Sequence, residues 1–132
     1  MARKPRNAGA EGRWQKTLPE LTVALNEFAK ERAWERFHSP KNLAMALSVE
    51  AAELLEHFQW LTESESRRLG RSKIYEIAEE MADVQIYLLM LADKLQVDLV
   101  SAVRAKIEKN RVRYPADDVQ GVATKVRSPR AR

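Results

Sequence analysis

A chain of 132 residues with a formal net charge of +4 is long enough for one domain with its own core, or for one subunit of an oligomer. It contains no cysteine, which excludes disulfides, thiolate–metal sites and cysteine nucleophiles and fits a reducing cytoplasm. No apolar run approaches the roughly 18 residues needed to cross a membrane, and the basic N-terminus lacks the apolar segment of a secretory signal. The charge is uneven: residues 1–16 carry net +4 and residues 117–132 net +2, which leaves −2 for residues 17–116. Both ends are rich in Arg, Pro, Gly, Ala and Ser, so residues 1–16 and 117–132 are expected to be flexible basic arms. Such arms would touch nucleic acid weakly, while the folded part offers no basic surface.

In chain order, Leu18, Leu21, Leu25 and Phe28 recur at alternating steps of three and four, predicting a first helix from about Thr17 to Glu35. Arg36–His38 is a short link. Ser39–Pro40 then forms a helix start, a capping side chain followed by a proline where no N–H partner is needed. The second helix is predicted from about Pro40 to Leu61, with Leu43, Ala46, Leu47, Leu54 and Phe58 on its buried face. Residues 62–72 read as a polar loop with one helical turn in it. A third helix from about Lys73 to Leu95 would turn Ile74, Ile77, Met81, Val84, Leu88 and Leu91 to the core. Asp98 caps a fourth, from about Leu99 to Tyr114, with Leu99, Val103 and Ile107 inward, and Pro115 ends it. No strand pattern or glycine-rich phosphate loop is present. The expectation is an all-α, four-helix antiparallel bundle.

Two pairs of acids interrupt the apolar stripes. Glu50 follows Leu47 by three and precedes Leu54 by four, and Glu53 comes one turn later. Glu80 lies in the stripe Ile77, Glu80, Val84, Tyr87, Leu91, with Asp83 again at i+3. Antiparallel second and third helices would set the pairs opposite one another. Carboxylates converging in a core repel one another and call for a cation, and an all-oxygen ligand set points to Mg²⁺, with Mn²⁺ as a substitute. Glu76 and Glu79 read as solvated acids favoured by the helix dipole. A di-iron bundle would need two Glu-x-x-His elements, and His57 follows Glu53 by four and Glu56 by one, so neither forms. His57 reads as a helix-surface residue. On the fourth helix Lys106, Asn110 and Arg113 share a face suited to phosphate, and Trp60, beside a polar loop, offers a ring for stacking a base.

These residues resemble the MazG-like all-α nucleoside triphosphate pyrophosphohydrolases. The resemblance rests on Val49-Glu50-Ala51-Ala52-Glu53 followed by Glu80-Met81-Ala82-Asp83, with Val49 standing where the family pattern has its first Glu. The segments WERFHSPKNLAMALSVEAAELLEHFQW, EEMADVQIYLLMLADKL and AKIEKNRVRYP extend it over about residues 18–115, nearest to the small dCTP-pyrophosphatase branch. The resemblance implies that Glu50, Glu53, Glu80 and Asp83 bind Mg²⁺ as the catalytic centre. It implies a nucleotide pocket lined by Trp34 to His38 (Trp34, Phe37 and His38 among them), Trp60 and Tyr87, with Lys106 and Asn110 reaching the phosphates. It further implies cleavage of a nucleoside triphosphate to monophosphate and pyrophosphate by a dimer or tetramer. Some cytosine-selective relatives carry a His on the first helix where this chain has Leu25, which leaves the base open. The competing expectation is a non-catalytic helical interaction module whose basic arms bind nucleic acid.

Overall fold

The computed structural model describes residues 17–121, so the expected arm at 1–16 and most of the tail at 117–132 lie outside the described residues. All regular structure among the described residues is helical: α1 (Leu18–Glu31), a 3-10 turn (Glu35–Phe37), α2 (Pro40–Glu56), α3 (Glu63–Ser66), α4 (Arg71–Lys94), α5 (Leu99–Arg113) and α6 (Ala116–Val119). Four of these six helices are long, and they are the four that periodicity predicts. The chain divides between Gln96 and Val97 into two compact units, each of which is described by itself.

Local chemistry sets the boundaries. Thr17 and Glu20 close a box at the start of α1, with Thr17 N–H and Oγ1–H both donating to Glu20 Oε2 (3.2 and 2.7 Å). At α2, Ser39 takes an extended conformation before Pro40 and its hydroxyl accepts from Asn42 N–H at 3.2 Å. Thr62 and Glu65 form the reciprocal box that supports the short α3. Helix α1 stops at Glu31, short of the expected Glu35. Ala33 adopts a left-handed conformation (φ 53°), and Ala33 N–H and Trp34 N–H fold back onto the carbonyls of Lys30 and Ala29. This is a Schellman closure, made without the usual glycine at a cost of about 1–2 kcal/mol. Helix α2 ends at Glu56, short of Leu61, because residues 57–60 form turns closed by Phe58 and Gln59 N–H on Leu55 O.

Within the first unit α2 packs along α4, and α1 packs on α4 more sparingly. The chains of α2 and α4 run antiparallel, since Glu50 meets Asp83 whereas His57, two turns on, meets Glu76. Ala29, Leu43, Ile77, Leu89, Met90 and Ala92 are buried, Leu43 almost wholly. The expected face of α4 is corrected in part. Ile77 is buried and Val84, Leu88 and Leu91 are half-buried, but Ile74 and Met81 are more than half exposed. The burial centres instead on Leu89, Met90 and Ala92, because α4 is covered from two sides by α1 and α2 and not along a single seam.

In the second unit Asp98 caps α5 as expected, accepting from Ser101 N–H at 3.1 Å and Ser101 Oγ–H at 2.9 Å. No residue of α5 is buried, and Val103 and Ile107, expected inward, are about half exposed. Pro115 ends α5 and immediately starts α6, whose first turn carries Asp117 and Asp118. That turn falls mostly within the stretch expected to be tail. No helix among the described residues is long and apolar enough to cross a membrane.

Candidate functional site

Glu50 on α2 and Glu80 and Asp83 on α4 are each half-buried, and each offers a carboxylate oxygen within 4.8 Å of the other two. Helical spacing explains the convergence: Glu80 and Asp83 are one turn apart on α4, and the antiparallel pairing carries Glu50 across to both. The fourth expected acid, Glu53, stands outside this trio. It is exposed, yet its side chain is hydrogen-bonded to that of Glu50. Partial burial, the bond to Glu53 and the charges of Glu53, Asp83 and Glu80 together push the Glu50 carboxyl up to about 7. Burial and the negative charges of Glu50 and Asp83 also raise the Tyr87 phenol above its usual range. Oxygen donors held this close, one of them reluctant to ionise, are a fit for a hard divalent cation.

Asp83 belongs at the same time to a cleft of about 380 Å³. Trp34, His38 and Tyr87 line it, as does an apolar wall that includes Leu25, Phe28 and Met90. The Schellman closure of α1 explains how Trp34 arrives there. Trp34 follows the left-handed residue, and its ring meets Phe28 edge-on at 5.9 Å with a 72° interplanar angle, the apolar contact that accompanies such a cap. His38 closes the 3-10 turn, donating its backbone N–H to Glu35 O at 3.1 Å. Burial, with the Lys94 charge adding to it and Glu35 opposing, lowers its pKa, so the imidazole in the cleft stays neutral at physiological pH.

The other expected site residues are placed differently. Phe37 is half exposed and outside the cleft, its ring under the Arg36 guanidinium at 4.7 Å and its carbonyl accepting from Asn42 Nδ2–H at 2.9 Å. The 3-10 turn directs consecutive residues to different sides, so His38 enters the cleft and Phe37 does not. Trp60 is 87% exposed and also outside it, since the turns after Glu56 carry it off the face that bears Glu50. Lys106 and Asn110 lie one turn apart on α5, both exposed, in the second unit. Phe28, which periodicity assigns to core packing, and Met90, which lies off the predicted stripe, are both cleft residues. An aromatic six residues before Trp34, across a helix end, is the signal that links Phe28 to the site.

His57, expected at the surface, is 16% exposed at its side chain, with Nε2 3.9 Å from Glu80 Oε1 and Nδ1 4.0 Å from Glu76 Oε2. Glu76 is half exposed and pairs with Lys73 at 3.2 Å.

The model of the MazG-like family matches residues 45–127. Human dCTP pyrophosphatase 1 is 48% identical over 102 residues, which span 76% of this chain and 60% of that protein. The mouse protein of the same name is 42% identical over 111 residues, 83% of this chain and 65% of its own length. The chain therefore spans less than two thirds of the length of these relatives. Among solved structures, a pyrophosphatase from Archaeoglobus fulgidus superposes with a TM-score of 0.72 at 43% identity, covering 77% of this chain and 95% of that one.

Proposed function

The chain belongs to the MazG-like family, and from that membership we propose that it is a metal-dependent nucleotide pyrophosphohydrolase. The observation that carries the reading is the sharing of Asp83 between the carboxylate trio and the aromatic cleft. A cation site and an aromatic pocket joined at one side chain suit a ligand with an anionic end and a planar end. A nucleoside triphosphate has both. The dCTP pyrophosphatases among the relatives favour a deoxynucleotide, dCTP or a base-modified dCTP, as the substrate. The absence of cysteine fits action in a reducing cytoplasm.

Glu50, Glu80 and Asp83, with Glu53 beside them, would hold Mg²⁺, or Mn²⁺ in its place. The bound cation would supply charge neutralisation for the phosphates and lower the pKa of a coordinated water. The residues of the chain do the rest. Trp34 and Tyr87 bracket the base and fix its distance from the acids. His38, neutral and half-buried, offers the base a hydrogen-bonding edge. The apolar wall of the cleft excludes competing water. Phe37 and Trp60, both exposed, would close on the nucleotide from outside the cleft. Water attacks the α-phosphorus, the bond from that phosphorus to the bridging oxygen breaks, and nucleoside monophosphate and pyrophosphate leave. A site carboxylate accepts the proton of the water.

The small buried core and the exposure of Ile74, Met81, Val103 and Ile107 support assembly with further copies as a dimer or tetramer. The deciding experiment incubates the protein with each ribo- and deoxynucleoside triphosphate and Mg²⁺, and resolves the products chromatographically. Monophosphate and pyrophosphate in equal amounts are expected. Diphosphate with inorganic phosphate, or no turnover of any triphosphate, would overturn the reading.

A further inference from the structure

The acid trio has a neighbour that the nucleotide cleft does not use. His57 sits at the C-terminal end of α2, two turns beyond Glu50 and hence on the same face of that helix. Its imidazole is largely covered, and it stands between two glutamates one turn apart on α4. Nε2 faces Glu80 Oε1 at 3.9 Å, and Glu80 is a member of the trio. Nδ1 faces Glu76 Oε2 at 4.0 Å, and the same oxygen accepts from Lys73 Nζ–H at 3.2 Å. Both imidazole distances exceed a direct hydrogen bond by less than about 1 Å, a gap that a small rotation of either carboxylate closes.

Resting on the metal-site reading above, we propose that His57 is a positioning residue that steadies the Glu80 carboxylate for the divalent cation, with Glu76 bracing the far side of the ring. Two glutamates and an aspartate held this close repel one another, so an unsupported trio spreads in the absence of a cation. A donor that takes one oxygen of Glu80 would restrict the rotation of the carboxylate and leave its second oxygen for the cation. Outer contacts of this kind set ligand orientation in metal centres, and their loss weakens metal binding by about 10–100-fold. His57 would not touch nucleotide or the reacting atoms, so its loss changes the metal requirement and spares the nucleotide interaction.

The test compares the full chain with its His57→Phe and His57→Gln forms. Phe keeps the ring and its packing but offers no donor, whereas the Gln amide can still reach Glu80. Mn²⁺ and Mg²⁺ affinity is measured calorimetrically without nucleotide, alongside the metal-induced rise in melting temperature and the Mg²⁺ dependence of turnover. The expected result is a roughly tenfold loss of metal affinity in His57→Phe, recovery to within about threefold in His57→Gln, and a nucleotide KM at saturating Mg²⁺ changed less than about twofold in both. If His57→Phe folds poorly, His57→Leu makes the same comparison. Unchanged or tighter metal binding in the donor-free form, or equal loss in the Gln form, overturns the role of His57. A parent protein that binds neither metal overturns the site reading itself, and with it this role.

Discussion

Replacing Glu50 by Gln should make the metal-free protein more stable, and only in one range of pH. In the folded chain burial, Glu53 and the α4 acids move the Glu50 carboxyl from an ordinary 4.5 to about 7. Between those values the folded chain keeps a proton that the unfolded chain has released, so stability falls as pH rises from about 4.5 to about 7. Above that window both states are ionised and the penalty is constant. At about 1.4 kcal/mol per tenfold change, the full displacement corresponds to roughly 3 kcal/mol. Glu50 is only partly buried, and solvent screening reduces this to about 1–2 kcal/mol. Gln has nearly the same shape and no charge to lose. In a chelator at pH 8, Glu50→Gln should therefore melt about 5–10 °C above the parent, and at pH 5 the two should differ by less than half of that. Both are measured by differential scanning calorimetry at one protein concentration, because association would shift the midpoints. Adding Mg²⁺ should raise the parent's midpoint at pH 8 and leave that of Glu50→Gln little changed. A pH-independent difference, or a less stable Gln form at pH 8, would refute the claim that the acids strain one another in the fold.

Asp83→Asn and Glu53→Gln should each reduce turnover at least about tenfold, while Glu79→Gln, an acid on the same helix outside the trio, should stay within about twofold. Equal losses at all three positions would sink the site assignment. Trp34→Ala removes the ring held against Phe28 and should raise the nucleotide KM several-fold with a smaller change in kcat, as steady-state kinetics at saturating Mg²⁺ would show. Leu43→Ala empties the best-buried apolar position and should cost about 2–4 kcal/mol in urea unfolding; a cost below about 1 kcal/mol would mean that α2 is not seated on α4 as described.

Helix identity was legible because each long helix carries its own signal within a few residues. Ser39–Pro40, Asp98 with Ser101, and the three–four periodicity of α1 all act through neighbours in the chain. The helix ends were less legible. The stop of α1 depends on Ala33 taking a conformation usually left to glycine, which nothing in its side chain announces. The buried face of α4 was misjudged because periodicity marks an apolar stripe but not how many neighbours cover it. Ile74 and Met81 repeat as core residues do, yet among the described residues both stay more than half exposed.

The site divides along the same line. Spacing of three on α4, together with an antiparallel α2 that carries Glu50 across, accounts for the meeting of Glu80, Asp83 and Glu50. Glu53 shows the limit of that argument. It shares the i+3 relation to Glu50 that Asp83 has to Glu80, yet it stands outside the trio and acts on it through a hydrogen bond to Glu50. His57 shows the converse. A histidine that forms no Glu-x-x-His element with an acid on its own helix gives little local sign of function. Its meaning lies in Glu76 and Glu80 on another helix, and only the crossing of α2 and α4 makes that relation visible.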